Sequence, residues 1–188
     1  LMYIQGTPAL SLNGQGQPDT FNIALGTPEL TSIAILDSVA GAGDVAHIYA
    51  STGSDTLDVN TGGSKAILWS TGGPVLETIT YNANLEAITI YGPGFPGDTV
   101  PTAPAIVDLA DSFTVSPDTN TAITVHGGLP TNGYGDTLIL NALGLTNPAI
   151  DPLSPAITAR PHGTLSSTSH QTVTWTSIET LPVPLGLG

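Results

Sequence analysis

Residues 111–128 read Asp-Ser-Phe-Thr-Val-Ser-Pro-Asp-Thr-Asn-Thr-Ala-Ile-Thr-Val-His-Gly-Gly and hold two short alternating stretches bounded by turns. In each stretch apolar residues alternate with Thr or Ser, a period of two that predicts a strand with one buried face. Ser116-Pro-Asp118 and Gly127-Gly128 carry the residue types that turns require. The alternation recurs along the chain, and no window of helical length keeps a period of 3.6 free of Gly or Pro. The chain is therefore predicted to be all-β.

Similar segments recur about ninety residues apart, in the same order. Asp19–Ile23 matches Asp111–Val115 with an offset of 92, and Asp44–Ala50 matches Asp136–Ala142 with the same offset. Three further matches have offsets of 90, 94 and 93: Thr31–Ile35 with Thr121–Val125, Thr78–Tyr81 with Thr172–Trp175, and Leu85–Ile90 with Ile178–Val183. We therefore predict two tandem β repeats, residues 1–92 and 93–188.

Short strands at this spacing fit two architectures. A parallel β-solenoid, or β-helix-like coil, is favoured because Asp-Thr-hydrophobic starts follow glycine turns, as corners of a coil would. The alternative is two antiparallel β-sandwich domains. In either case we expect the same strand order in both copies, with Phe21 equivalent to Phe113 and Tyr81 equivalent to Trp175. Tyr81 and Trp175 are interpreted as aromatic residues that fill the core.

Composition narrows the function classes. The chain has 188 residues, a net charge of −13, no cysteine, and 9% charged residues against roughly 25% in ordinary domains. Two basic residues, Lys65 and Arg160, cannot neutralise many phosphates, so nucleic-acid binding and anionic membrane surfaces are disfavoured. Disulfides and thiolate sites are excluded. Because 40% of the residues are hydrophobic, we expect a folded protein despite 22 glycines and 16 prolines.

The second copy carries a resemblance. Residues 111–128, Gly135-Asp-Thr-Leu138 and Trp175-Thr-Ser-Ile-Glu-Thr-Leu181 resemble tandem repeats of very large bacterial surface and secreted proteins, notably those of planctomycetes. Those repeats are distantly similar to haemolysin-type calcium-binding repeats. The resemblance implies an extracellular or cell-surface, repetitive, non-catalytic segment.

Acidic residues recur at glycine turns, where carboxylate oxygens from stacked turns can meet on a hard cation. The predicted calcium ligands are Asp55 and Asp58 first, then Asp44, Asp98 and Asp136. The competing interpretation needs no metal, because aspartate commonly caps a turn through the local backbone. Glu86 and Glu179 are repeat-equivalent and are interpreted as solvated residues at strand starts. No other cofactor is expected.

Catalytic signatures are lacking. Gly92-Pro-Gly-Phe-Pro-Gly97 matches the dinucleotide-binding string, but the prolines that follow forbid the helix which that motif needs, so it is interpreted as a linker. The chain has no serine elbow and no zinc-type His/Glu spacing. Its four histidines lie in unrelated contexts: His47, His126, His162 and His170. We predict that the chain is not an enzyme.

The favoured function is an extracellular structural module that stacks into a surface layer, stalk, matrix or filament. The expected partners are copies of itself or neighbouring repeats, joined head to tail through strand edges. The apolar segments Leu1–Ile4 and Leu181–Leu185 would complete a neighbour's sheet. Two alternatives stay open: a calcium-stabilised adhesion module, and a carbohydrate-binding or carbohydrate-active β-helix.

Overall fold

The computed structural model describes residues 9–26, 31–41, 43–51, 53–71, 73–92, 110–128, 135–152 and 162–182. This part is all-β, as predicted, with one 3-10 turn at Thr61–Gly63. Its strands are β1 (Ala9–Asn13), β2 (Thr20–Ala24), β3 (Ser32–Leu36), β4 (Val45–Tyr49), β5 (Thr56–Val59), β6 (Ala66–Ser70), β7 (Glu77–Tyr81), β8 (Ala87–Tyr91), β9 (Ser112–Val115), β10 (Ala122–His126), β11 (Thr137–Leu140), β12 (Ala149–Pro152), β13 (Gly163–Ser166) and β14 (Val173–Thr176). None of the described segments is a helix of the length and apolarity that crossing a membrane requires.

The strands form two seven-stranded mixed sheets. The first sheet has the order β1-β3-β7-β6-β5-β9-β11, and the second has the order β12-β13-β14-β10-β8-β4-β2. Pairing is antiparallel at β5–β6, β6–β7, β12–β13 and β13–β14, and parallel at the other eight contacts between described strands. The alternative of two antiparallel β-sandwich domains is therefore wrong in its strand pairing, whereas the arrangement of the two sheets is sandwich-like. Short hairpins can join antiparallel strands, but the parallel pairs need the chain to cross to the other sheet and return.

One apolar core collects the inward residues of both sheets. Ile33 and Ile79 enter it from the first sheet, and Ile48 and Ile88 enter it from the second. The alternation seen in the sequence sets the inward face, because successive side chains of a strand point to opposite sides. Tyr81 and Trp175 are 5% and 2% exposed, which confirms their interpretation as core residues.

The pairing scheme of the first seven strands is repeated by the next seven, with the two sheets exchanged. β2 pairs with β4 as β9 pairs with β11, and β3 pairs with β7 as β10 pairs with β14. The β5–β6 hairpin corresponds to the β12–β13 hairpin. Phe21 and Phe113 consequently occupy equivalent strands of different sheets, and so do Tyr81 and Trp175. The expected strand order is present, but the equivalent residues do not share a sheet.

Both sheets run across the predicted repeat boundary. In the first sheet β5 pairs with β9, and in the second β8 lies between β4 and β10. Strands on either side of residue 92 therefore complete one another's sheets. The division at residues 92 and 93 stays a prediction, since residues 93–109 lie outside the described part of the chain.

Candidate functional site

Acidic residues line the starts of the parallel strands, where each carboxylate accepts the backbone N–H of the acidic residue before a neighbouring strand. The N–H of Asp19 donates to Asp44 Oδ1 at 2.5 Å, and the N–H of Asp44 donates to Glu86 Oε2 at 2.8 Å. The second copy repeats the arrangement: the Asp111 N–H donates to Asp136 Oδ1 at 2.9 Å, and the Asp136 N–H to Glu179 Oε2 at 2.7 Å. We call these two chains of contacts the carboxylate rows.

The rows follow from parallel pairing. A strand's first N–H groups lie beyond the backbone ladder, and a short carboxylate on the next strand can accept them. Hydrogen bonds to a charged acceptor are stronger than neutral ones, at about 1.5–3 kcal/mol each. Asp55 extends the second row, because its N–H donates to Asp111 Oδ1 at 2.8 Å. The aspartates that precede strands therefore align the strand starts.

Three carboxylates of the first copy form a compact group. Oxygen atoms of Asp37, Asp44 and Glu86 all lie within 4.8 Å of one another. Asp37 and Asp44 are 3% and 0% exposed, and one oxygen of each, Oδ2, is buried without a hydrogen-bond partner. Glu86 differs, because its two oxygens accept the N–H groups of Gly41 and Asp44. We call these three residues the acidic cluster.

Burial disfavours the ionised form of Asp44 in the acidic cluster. Desolvation raises the pKa of Asp44; the N–H of Asp19 opposes that rise, and the carboxyl groups of Asp37 and Glu86 add to it. Within the described residues the one basic side chain, Lys65, is bound elsewhere, to Asp118 at 2.7 Å. The acidic cluster therefore has no cationic side chain to balance it within the described structure.

The structure does not bring the predicted calcium ligands together at one site among the described residues. Asp44 belongs to both the first carboxylate row and the acidic cluster, whereas Asp55 and Asp136 belong to the second carboxylate row alone. Asp55 accepts the Ser51 N–H at 2.6 Å, and burial, partly offset by Ser51, raises its pKa. Asp58 is half-buried on the outward side of β5, and it is not part of the acidic cluster. Asp98 lies outside the described residues.

Nothing in the sequence singles out Asp37, and Glu86 and Glu179 are predicted to be solvated residues at strand starts. Glu179 is exposed and Glu86 is half-buried, and both in addition accept backbone N–H groups. A usable signal was present, because Glu86 and Glu179 are separated by 93 residues and Asp44 and Asp136 by 92. Residues that recur together at one offset are expected to keep their mutual contact.

A second polar group lies at an open pocket of about 330 Å³ between the 3-10 turn and the loop after β9. Lys65 Nζ donates to both oxygens of Asp118, at 2.7 and 2.8 Å, and the Tyr81 hydroxyl donates to Asp118 Oδ2 at 3.3 Å. Burial raises the pKa of Asp118, but Lys65 and the N–H groups of Asn120 and Thr121 outweigh burial, so the net pKa is lowered. Burial and Asp118 together raise the pKa of Tyr81. This group ties the two copies together.

An aromatic strip crosses the outward face of the second sheet. Tyr91 stacks on Tyr49 and on His126 with ring centroids 5.1 Å apart in both cases, and on His47 at 5.6 Å. The interplanar angles of these pairs are between 8° and 16°. Rings stacked in this way cover one another's faces, whereas a sugar-binding platform must present its faces to the ligand. The strip therefore serves strand-to-strand packing better than carbohydrate binding.

The histidines do not form a common site with the acidic cluster. His47 and His126 flank Tyr91, and His126 Nδ1 lies 2.6 Å from Thr176 Oγ1. Burial lowers the pKa of His126, which favours its neutral form. His170 contacts Ser169 on an exposed turn.

No family model, no curated protein and no solved structure matches this chain.

Proposed function

We propose that this protein is a non-catalytic structural repeat module of an extracellular layer, stalk, matrix or filament. Its task in this proposal is to extend a β structure by adding repeat to repeat. The observation that carries the proposal is the contact between its own two copies, which consists of strand edges: β5 with β9 and β8 with β10. Because the two copies are joined by pairing of strand edges, a further copy can be joined to the module by the same pairing.

Strand alternation supports a coil-like extension. From β1 to β5, and again from β7 to β12, each successive strand lies in the opposite sheet, and the hairpins β5–β6 and β12–β13 interrupt the alternation. We propose that the two sheets are two faces of a parallel solenoid into which these hairpins are inserted. Stacked repeats of such a coil contact their nearest neighbours, which allows propagation along one axis.

The outer strands correspond to the strands of the internal junction. By the repeat relation β12 is equivalent to β5 and β2 is equivalent to β9, and within the described chain β12 and β2 each have one strand partner. Pairing of β12 with the β2 of a following repeat would copy the contact of β5 with β9. In that register Ala149 lies opposite Thr20, and Asp151 opposite Asn22, as Thr56 lies opposite Ser112.

At β11, the edge of the first sheet repeats an arrangement that is seen in the second sheet. Thr180 bridges to Thr137 in parallel orientation, so residues 178–180 take the place beside β11 that β8 takes beside β4. Leu181 is partly exposed at the end of this segment. Residues 1–4, the other predicted end contact, lie outside the described residues.

The edge of β2 that has no partner among the described strands gives a direct test. The Asp19 carbonyl accepts the Val45 N–H at 3.0 Å, and the Leu25 N–H donates to the Tyr49 carbonyl at 2.9 Å. Because alternate residues of a parallel strand direct their backbone groups to the same side, Asn22 directs its N–H away from β4. Asn22→Pro therefore removes an outward donor and sacrifices no backbone hydrogen bond to β4. It also loses the contact of Asn22 Oδ1 with the Tyr49 hydroxyl at 3.4 Å, which any variant without the asparagine side chain loses equally.

We expect sedimentation velocity to show concentration-dependent association of the wild-type chain and weaker association of Asn22→Pro. Asn22→Ala is the matched control, since it loses the same side chain but keeps the N–H, and it should associate like the wild type. A wild-type chain that stays monomeric at the highest attainable concentration would contradict the proposed function.

A further inference from the structure

We propose that the acidic cluster, Asp37, Asp44 and Glu86, binds one hard divalent cation, and that its oxygen donors favour Ca²⁺. The site goes beyond the proposed assembly function and does not depend on it. Its position is defined by strand ends: Asp37 directly follows β3, Asp44 directly precedes β4, and Glu86 directly precedes β8. An ion at this point would join both ends of the β3–β4 loop to the neighbouring strand.

The spacing of the donors fits calcium. All three carboxylates contribute oxygens within 4.8 Å of one another. Two ligands on opposite sides of a calcium ion are separated by about 4.8 Å, twice a Ca–O bond of about 2.4 Å, and closer pairs lie at smaller angles. Carboxylate oxygens are hard ligands, which suit Ca²⁺ and not the softer transition metals.

Two buried oxygens lack a partner. Asp37 Oδ2 and Asp44 Oδ2 have no hydrogen-bond donor, although both residues are more than nine-tenths buried. Buried polar atoms in folded proteins are almost always satisfied, and a charged one left alone is costly. The other oxygen of Asp44 is held by the Asp19 N–H, which fixes the direction of its carboxylate. A cation satisfies both bare oxygens at once.

The backbone around Asp37 is held in place independently of any ion. The Asp37 carbonyl accepts the side-chain amides of Asn82 and Asn84 at 2.6 and 3.1 Å. These two asparagines follow β7, so the end of β3 is anchored to the neighbouring strand. A ligand that is already positioned loses less entropy when it binds.

The second copy provides an internal comparison. Asp136 and Glu179 correspond to Asp44 and Glu86, but the residue after β10, at the position of Asp37, is Gly127. A Cβ atom at Gly127 would lie 2.6 Å from Asp136 Oδ2 and 2.2 Å from the Ser177 carbonyl oxygen, so no side chain fits there. The cluster therefore has three carboxylates in the first copy alone, and we expect one ion per chain at this kind of site.

The test is isothermal titration of the full chain with CaCl₂, together with thermal unfolding in CaCl₂ and in NaCl of equal ionic strength. We expect about one bound ion at this site and a higher unfolding midpoint in CaCl₂, because a ligand that binds the native state stabilises it. Asp37→Asn should weaken calcium binding about tenfold or more, since it removes one of three ligand charges. Asp58→Asn, on the outward side of β5 and outside the acidic cluster, changes the charge by the same amount and should bind like the wild type.

MgCl₂ at the same concentration separates a site from general screening of the net charge of −13. Magnesium requires a smaller octahedral shell and keeps its waters, so it should stabilise the chain less than calcium does. Glu86→Gln provides a second variant should Asp37→Asn not fold, because its amide oxygen still accepts the Asp44 N–H. The proposal is overturned if CaCl₂ produces neither binding heat nor a midpoint change, if magnesium matches calcium, or if calcium acts equally on the folded ligand variants.

Discussion

The lone lysine of the chain has one carboxylate partner, and that pair responds to pH. Lys65 and Asp118 are 27% and 2% exposed, and their contact joins residues from the two halves of the chain. Lys65 Nζ also lies 5.8 Å from the centroid of the Tyr81 ring, a favourable position for a cation. Since this pair connects β6 to the loop after β9, its loss affects the junction of the copies.

The lowered pKa of Asp118 predicts a stability change in acid. A carboxyl whose pKa is lower in the folded state stabilises the protein above its unfolded pKa of about 4, and this contribution is lost as the pH falls through the folded pKa. Asp118→Asn should therefore lower the free energy of unfolding at neutral pH. The difference from the wild type should shrink as the pH falls below about 4.

Denaturant unfolding between pH 7 and pH 2 measures that difference, with Asp151→Asn as the exposed control. A difference between the wild type and Asp118→Asn that stays constant down to pH 2 would show that the Asp118 charge does not stabilise the fold.

The chemistry of single residues was only partly accessible from the sequence. Aspartate at glycine turns predicted capping of the local backbone, which Asp55 provides for the Ser51 N–H. Asp44 and Asp136 instead cap an N–H 25 positions away. Which carboxylate faces which N–H depends on the pairing of strands, and alternation in one strand carries no information about its neighbour. Asp37 had no turn glycine directly before it, so nothing in its local sequence marked it.

At the scale of elements, alternation predicted strands well. Phe113 and Val115 in β9, and Leu138 and Leu140 in β11, are fully buried at the predicted inward positions. The inserted hairpins β5–β6 and β12–β13 were not predicted. Their strands resemble the others in composition, and antiparallel pairing is decided by the length of the connection and by contacts with the sheet.

The β12–β13 hairpin depends on a glycine. A Cβ atom at Gly163 would lie 2.3 Å from Trp175 Cζ2 and 2.9 Å from the Asp151 carbonyl oxygen. Trp175 is 2% exposed, so the ring is enclosed by other atoms. Gly163→Ala should therefore overpack the core and lower the free energy of unfolding by about 2 kcal/mol.

Chemical denaturation compares Gly163→Ala with Gly73→Ala. A Cβ atom at Gly73 meets no atom within 4 Å, so this control should leave stability nearly unchanged. Equal stability of the two variants would mean that Gly163 does not lie against Trp175.

At the scale of the whole molecule, the repeat was visible in the sequence and its geometry was not. Matched segments correctly gave the order of strands, yet Phe21 and Phe113 lie in different sheets. The exchange arises because the chain crosses between the sheets an odd number of times, five, from β1 to its equivalent β8. The offset between two matched segments gives their separation along the chain, and it does not indicate which of the two sheets a strand belongs to.

The last residue of β12 affects how strongly a further repeat would pair with this strand. β12 ends in Pro152, which has no N–H, at the position equivalent to Val59 of β5. The Val59 carbonyl accepts the Ser116 N–H at 3.0 Å in the internal junction. A following repeat paired with β12 would keep that acceptor and lose one donor, so we expect a weaker contact than the internal one.

Cysteine cross-linking between separate molecules tests the account most directly, because the chain has no cysteine of its own. If β12 pairs with β2 as β5 pairs with β9, Asp151→Cys in one molecule and Asn22→Cys in another lie opposite each other, at a spacing that a disulfide spans. We expect a mixed disulfide dimer from these two variants under mild oxidation. A control pair of Asp151→Cys with Thr80→Cys, exposed on β7, should give far less. Equal yields from both pairs, or no mixed dimer at all, would contradict assembly through these strand edges.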